Sequence, residues 1–164
     1  MTAAETGHLV FATLHTSSAP KTIDRIIDVF PGDEKSMARS MLSESLQAVI
    51  TQTLLKRVGG GRIAAHEIML GTSAIRNLIR EDKVAQMYSM IQTGQNEGMQ
   101  TLDQSLLQAF KEDEISEEDA LRYADSANDM RLKIKMFLSG GYEVEDGLEL
   151  TFDEADTSGQ FFGR

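Results

Sequence analysis

The residues of this chain with chemistry to offer early on are two histidines and the hydroxyls that follow them. His8 and His15 flank the apolar run Leu9-Val-Phe-Ala-Thr-Leu14, and Thr16, Ser17 and Ser18 come directly after. A short apolar run bounded by a Gly-His turn and a hydroxyl-rich segment predicts a strand buried on both faces. Open α/β sheets hold ligands just outside the carboxyl ends of their strands. His15 stands at that end, where a side chain able to hydrogen-bond a ligand is expected, and His8 marks the entrance. The alternative for each is a hydrogen-bonded structural histidine.

A second cluster, His66-Glu67, offers acid/base or metal chemistry. Adjacent strand residues point to opposite faces, so the two cannot easily share one ligand, and a structural role is favoured. His8, His15 and His66 together with acids show no metal-ligand spacing. Arg76 and Arg80, four residues apart, lie on one flank of a predicted helix. They read either as a solvated face partnered by Glu81 and Asp82 or as part of an interaction surface.

The elements that must position these residues follow from periodicity. Ile23, Ile26, Ile27 and Phe30 form one helical face, opened by Pro20 and stopped by Pro31. Asp33 is placed to cap the next helix, where Met37, Met41, Leu42, Leu46, Val49, Ile50 and Leu54 predict a stripe about five turns long. Gly59, Gly60 and Gly61 permit positive φ angles and predict a hairpin turn, with residues 62–70 as the return strand. A phosphate-cradling loop would need a lysine and a serine or threonine after the glycines and a helix start, none of which follows.

Thr72 caps a helix bearing Ala74, Ile75, Leu78 and Ile79, and Val84, Met87, Tyr88 and Ile91 continue the pattern to Gly94. Thr101 and Gln104 form a capping-box signal ahead of Leu102, Leu106 and Phe110. Ile115, Ser116 and Asp119 form another, with Ile115 placed to staple against Ala120. Residues 126–138 read as helix, although Met130, Leu132, Ile134 and Met136 alternate with Arg131, Lys133 and Lys135. From residue 139 glycine and acids predominate and predict disorder, with at most a small strand through Leu148, Leu150 and Phe152.

Composition narrows the classes. The 164 residues suffice for one domain with a real core, and 41% hydrophobic content suits a soluble protein. A formal charge of −10 argues against nucleic acid, which needs clustered cations. Residues 112–119 and 143–156 hold much of that charge as solvated acidic stretches. There is no cysteine, hence no disulfide or thiol chemistry, and no apolar run long enough to span a membrane.

Several strings together carry a family resemblance: Thr13-Leu-His-Thr-Ser-Ser18, Lys21-Thr-Ile-Asp-Arg-Ile-Ile-Asp-Val-Phe-Pro31, Gly59-Gly-Gly-Arg-Ile-Ala-Ala-His-Glu-Ile68 and Ala74-Ile-Arg-Asn-Leu-Ile-Arg-Glu81. In this order they resemble the secretion-ATPase superfamily, and specifically the PilT family that retracts type IV pili. Residues 124–129 and the acidic ending resemble the paralogous PilU type. The resemblance implies the C-terminal half of a RecA-like P-loop ATPase core: residues 1–72 as core, 73–138 as a helical C-terminal region and 139–164 as an acidic tail.

The resemblance also implies roles. His15 would read the γ-phosphate region of ATP and His8 would help couple hydrolysis to movement, with Thr13 and Thr16 near the nucleotide. Arg76, Asn77, Arg80 and Glu81 would form the interaction surface. A complete member uses ATP and Mg2+, works as a homo-hexamer and meets an inner-membrane platform protein and a paralogous retraction ATPase, in the cytoplasm at the pilus base. The pattern Gly, four residues, Gly-Lys-Ser/Thr, which grips phosphates in such enzymes, occurs nowhere in these 164 residues. The expectation is therefore a motor fragment that does not bind ATP tightly by itself. The other reading is a non-catalytic module docking on retraction hexamers or their platform.

Overall fold

The computed structural model describes residues 1–140; the expected disorder, and the expected small strand at residues 148–152, fall outside the described residues. Eight helices and one hairpin follow each other in the order α1 Thr2–Glu5, α2 Ala19–Ile27, α3 Lys35–Ser45, β1 Ala48–Lys56, β2 Arg62–Leu70, α4 Ser73–Arg80, α5 Met87–Thr93, α6 Leu102–Lys111, α7 Glu117–Tyr123 and α8 Ala127–Leu138.

The hairpin organises the packing. β1 and β2 pair antiparallel from Ala48↔Leu70 to Lys56↔Arg62, and the three glycines turn the chain at φ +84°, +113° and +81°. Alternation puts Val49, Thr51, Thr53 and Leu55 of β1 on one face with Ile63, Ala65, Glu67 and Met69 of β2. At the open end, Val49 and Met69 join Ile23 and Ile27 of α2, Leu42 of α3, Ile75 and Ile79 of α4, and Met87 and Ile91 of α5. At the turn end, Leu55 and Ala65 join Leu106 of α6, Ile115, Ala120 of α7, and Met130 and Ile134 of α8. Each fully buried Ile or Leu contributes roughly 1.5–3 kcal/mol, so both ends of the hairpin are held by apolar burial. The far edge of β2 is closed by Gln100, which exchanges two backbone hydrogen bonds with Ile68 at 2.8 and 3.0 Å.

Thr72, Thr101 and Ser116 cap their helices as their sequence signals predict, and Ser18 and Ser126 cap theirs in the same way. The hydroxyls of Ser18, Thr72, Thr101, Ser116 and Ser126 each accept a bond from the backbone N–H three residues on. Thr101 and Gln104 complete a reciprocal box, and Ile115 and Ala120 share the second core as a staple would require.

Three expectations fail. The five-turn helix ends at Ser45, and residues 48–56 are strand instead. The glycine turn needs an outgoing strand, and Val49, Ile50, Thr51 and Thr53 are β-branched residues suited to it. Asp33 is not the cap of α3; Glu34 holds that position without a side-chain bond.

The third failure concerns the first strand. Residues 8–16 form no strand, and Leu9 and Phe11 are 78% and 87% exposed. A strand buried on both faces requires neighbours on each side for its backbone groups and layers above and below for its side chains. Among the described residues nothing supplies them.

Candidate functional site

The exposed segment 8–16 feeds into the start of α2, and polar groups from several elements meet at that junction. Ser18, in extended conformation, caps α2 by accepting from the Lys21 N–H at 3.3 Å. Lys21 Nζ reaches back to Ser17 Oγ at 3.0 Å. The Thr22 hydroxyl lies 2.6 Å from Thr16 Oγ1 and 2.9 Å from the Ser18 carbonyl oxygen, to which it donates. Beneath them Glu67, 1% exposed on the inward face of β2, accepts from the Ala19 N–H at 2.5 Å. A carboxylate facing unpaired N–H groups at a helix N-terminus is well placed.

Glu67 also forms the floor of a cavity of about 400 Å³ lined by Ser18, Lys21, Asp24, Tyr88 and Asp125 among others. Burial pushes the Glu67 carboxyl above its ordinary value; the Ala19 N–H opposes this and the charge of Asp125 adds to it. Asp125 is raised by burial and then by Asp103, with Lys21 opposing. Asp24 is raised by burial and by Asp28 and Asp82. Burial, then Asp103 and Asp125, raise the Tyr88 phenol. Asp103, itself buried, accepts from the N–H groups of Asp125 at 2.7 Å and Ser126 at 3.3 Å, anchoring the entry to α8. Among the described residues no group of histidines and acids is arranged to hold a metal.

The residues singled out from sequence do not converge. His15 is exposed at the end of segment 8–16, and no hydrogen bond engages its ring among the described residues. His8 Nδ1 lies 3.1 Å from Thr6 Oγ1 and 3.2 Å from the Ala3 carbonyl oxygen, beside α1. Thr13 is exposed, while Thr16 is tied to Thr22. His66 and Glu67 face opposite sides as their adjacency requires, with His66 Nε2 3.3 Å from Gln52 Oε1 across the hairpin.

On α4, Arg76 and Arg80 part company. The Arg76 guanidinium donates to the carbonyl oxygens of Gly71 (2.6 Å), Ser43 (2.9 Å), Glu44 and Leu46 (3.0 Å), closing the C-terminus of α3. Arg80 pairs with the Glu44 carboxylate at 3.0 Å. Asn77 donates to Glu81 at 3.0 Å, and Asn77, Arg80 and Glu81 are exposed. The roles of Glu67, Lys21, Tyr88 and Asp125 escaped sequence reading. A usable signal existed for one of them: Ala65, Glu67 and Met69 share a phase, which places an acid on the buried face.

Residues 1–60 match the family described as Type II/IV secretion system protein. The type IV pilus retraction ATPase PilT of Pseudomonas aeruginosa is 72% identical over 120 residues, covering 73% of this chain. This chain is homologous to the PilT-type secretion ATPases. The type IV pilus ATPase PilU of the same organism is 39% identical over 97% of the chain, so a PilU-like relative also aligns along nearly its whole length. The solved structure of the pilus retraction motor PilT with bound ADP superimposes with a TM-score of 0.71 at 44% identity over 80% of this chain. That agreement supports the expected RecA-like α/β fold with a hairpin and a helical C-terminal region. The chain spans 35% of the length of that PilT sequence, 43% of PilU and 36% of the solved PilT chain. No helix of the described residues is long and apolar enough to cross a membrane.

Proposed function

We propose that this chain is the part of a pilus-retraction ATPase that holds His8 and His15, the hairpin and the helices after it, acting in twitching motility when joined to the phosphate-gripping part of such a motor. The observation that carries the reading is the 72% identity to a retraction ATPase over 120 residues, a stretch long enough that it must include the hairpin and α4. In this reading His15, exposed and unengaged among the described residues, offers a ring nitrogen to the terminal phosphates of ATP. It acts by hydrogen bonding and geometry. Bound Mg-ATP would supply the phosphoryl group whose hydrolysis drives movement. Thr13 would lie near it, Thr16 would brace the segment against α2 through Thr22, and His8 would transmit movement toward α1. The assembled motor is a hexamer at the inner-membrane base of the pilus.

The residues present meet only part of what ATP needs, because the glycine-rich lysine loop is missing from the 164 residues. Titration of this chain with Mg-ATP by calorimetry should therefore show no binding in the micromolar range; a micromolar dissociation constant would overturn the fragment reading.

A second reading, a docking module on retraction hexamers, is favoured by the exposed trio Asn77, Arg80 and Glu81. Co-purification with a full-length PilT-type subunit, lost on Arg80→Glu, would support it. Arg76 is unsuited to that test because its guanidinium holds α3 to α4.

A further inference from the structure

The outward side of α8 is uncovered among the described residues. Met130 and Ile134 bury one side of this helix. On the other, Leu132 (60% exposed) and Met136 (47%) stand one turn apart as an apolar ridge, and Leu138 is 64% exposed at its end. Helical spacing puts Arg131 and Lys135 along one border of the ridge and Lys133 along the other. Arg131 donates to the Asn128 side chain; no ion pair with a described residue engages any of the three cations. An apolar, basic ridge is unexpected on a chain with a net charge of −10.

The chain itself contains a matching segment. Residues 141–164 hold seven acids against the single basic Arg164, so six of the ten net negative charges lie there. Leu148, Leu150 and Phe152 form an apolar triplet, preceded by Glu145 and Asp146 and followed by Asp153 and Glu154. Apolar groups with acids at both ends complement an apolar ridge with cations along both borders.

Reach is sufficient. Gly140 has φ +67°, the left-handed conformation that reverses a chain after a helix. The ten residues from Leu138 to Leu148 can span roughly 30 Å at 3.3–3.6 Å each. Leu132 is only six residues back along α8, roughly 9 Å at 1.5 Å per residue. A short tether of this kind gives an effective concentration on the order of millimolar.

We propose that residues 145–154 dock on the outward ridge of α8 in the same chain, the triplet covering Leu132 and Met136 and the flanking acids pairing with Arg131, Lys133 and Lys135. The tail is then a removable cover: an acidic competitor or high salt exposes the basic ridge. This goes beyond the retraction-motor reading and does not depend on it.

Zero-length carbodiimide crosslinking of the full 164-residue chain, mixed with a uniformly ¹⁵N-labelled copy and read by mass spectrometry, tests this. The expected products join Lys133 or Lys135 to carboxylates within residues 145–154 of one chain, without light–heavy hybrids. Their yield should fall about tenfold in 1 M salt, where the Debye length is about 3 Å. The double variant Leu132→Ser, Met136→Ser leaves every reacting group in place and should lower the yield about fivefold through lost apolar contact. Light–heavy hybrids would assign the ridge to a second copy. Absence of crosslinks to residues 145–154, or a yield unchanged in the serine variant, would also overturn the proposal. So would phosphatidylglycerol vesicles that sediment the full chain through the same cations, with binding lost on Lys133→Glu, Lys135→Glu.

Discussion

Replacing Arg76 by methionine should destabilise the chain far more than the same change at Arg80, although the two stand one turn apart on α4. Methionine keeps most of the apolar stem, so the comparison isolates the guanidinium. Arg76 satisfies four carbonyl oxygens, three of them at the end of α3, where the last turn leaves carbonyls unpaired and a cation is favoured. A hydrogen bond to a charged group is worth about 1.5–3 kcal/mol in general. Arg76 is half-buried, so water recovers part of the loss, and we expect about 2–4 kcal/mol overall. Arg80 holds one ion pair whose side chains are 40% and 67% exposed; its loss should cost under about 1 kcal/mol. With a urea slope of about 2 kcal/mol/M, the midpoint should fall by about 1–2 M for Arg76→Met and under about 0.5 M for Arg80→Met. Arg76→Lys should recover little, because an ammonium cannot present a planar fork to four acceptors. Equal midpoints for the two methionine variants, or full rescue by lysine, would refute the clamp.

Gly71→Ala should be poorly tolerated, since its Cβ would meet the Leu46 carbonyl oxygen at 2.2 Å; a thermal melt should drop by several degrees, and an unchanged melt would show that the backbone yields there. Burial holds Glu67 above its ordinary 4.5, so the folded chain keeps a proton that the unfolded chain has released. Stability should therefore fall as pH rises from about 4.5 through the raised folded value. Glu67→Gln retains an acceptor for the Ala19 N–H, and the difference from wild type in chemical denaturation across that window should flatten the slope. Leu9 and Phe11 lie largely in solvent, so the chain should self-associate as concentration rises on sizing columns. Leu9→Ser with Phe11→Ser should shift it toward monomer; a sharp monomer peak for wild type would contradict this.

What could be read in advance was local. Thr72, Thr101 and Ser116 announce their helices because a cap is satisfied three residues away, and Pro20 announces α2. The three glycines announce the hairpin and fix its return strand, because few other residues accept such φ angles. Residues 126–138 pair alternating and helical cues; Ser126 as cap and burial of Met130 and Ile134 resolve them as helix.

What could not be read depends on partners far along the chain. Helix or strand after Ser45 was decided by pairing with β2, since Met41, Leu42, Leu46, Val49 and Ile50 fit a helical stripe until Val49 finds Met69. Segment 9–14 has strand composition, yet a strand needs neighbours and composition cannot supply them. Glu67 gained its place under α2 from an N–H 48 residues earlier, and Arg76 from carbonyls 30 to 33 residues earlier. The sequence by itself determined the family resemblance, the caps at Thr72, Thr101 and Ser116, and the turn, all written in short strings of neighbouring residues. Only the tertiary structure decided which polar groups would be buried together, because the cost of burying each depends on a partner that no local pattern specifies.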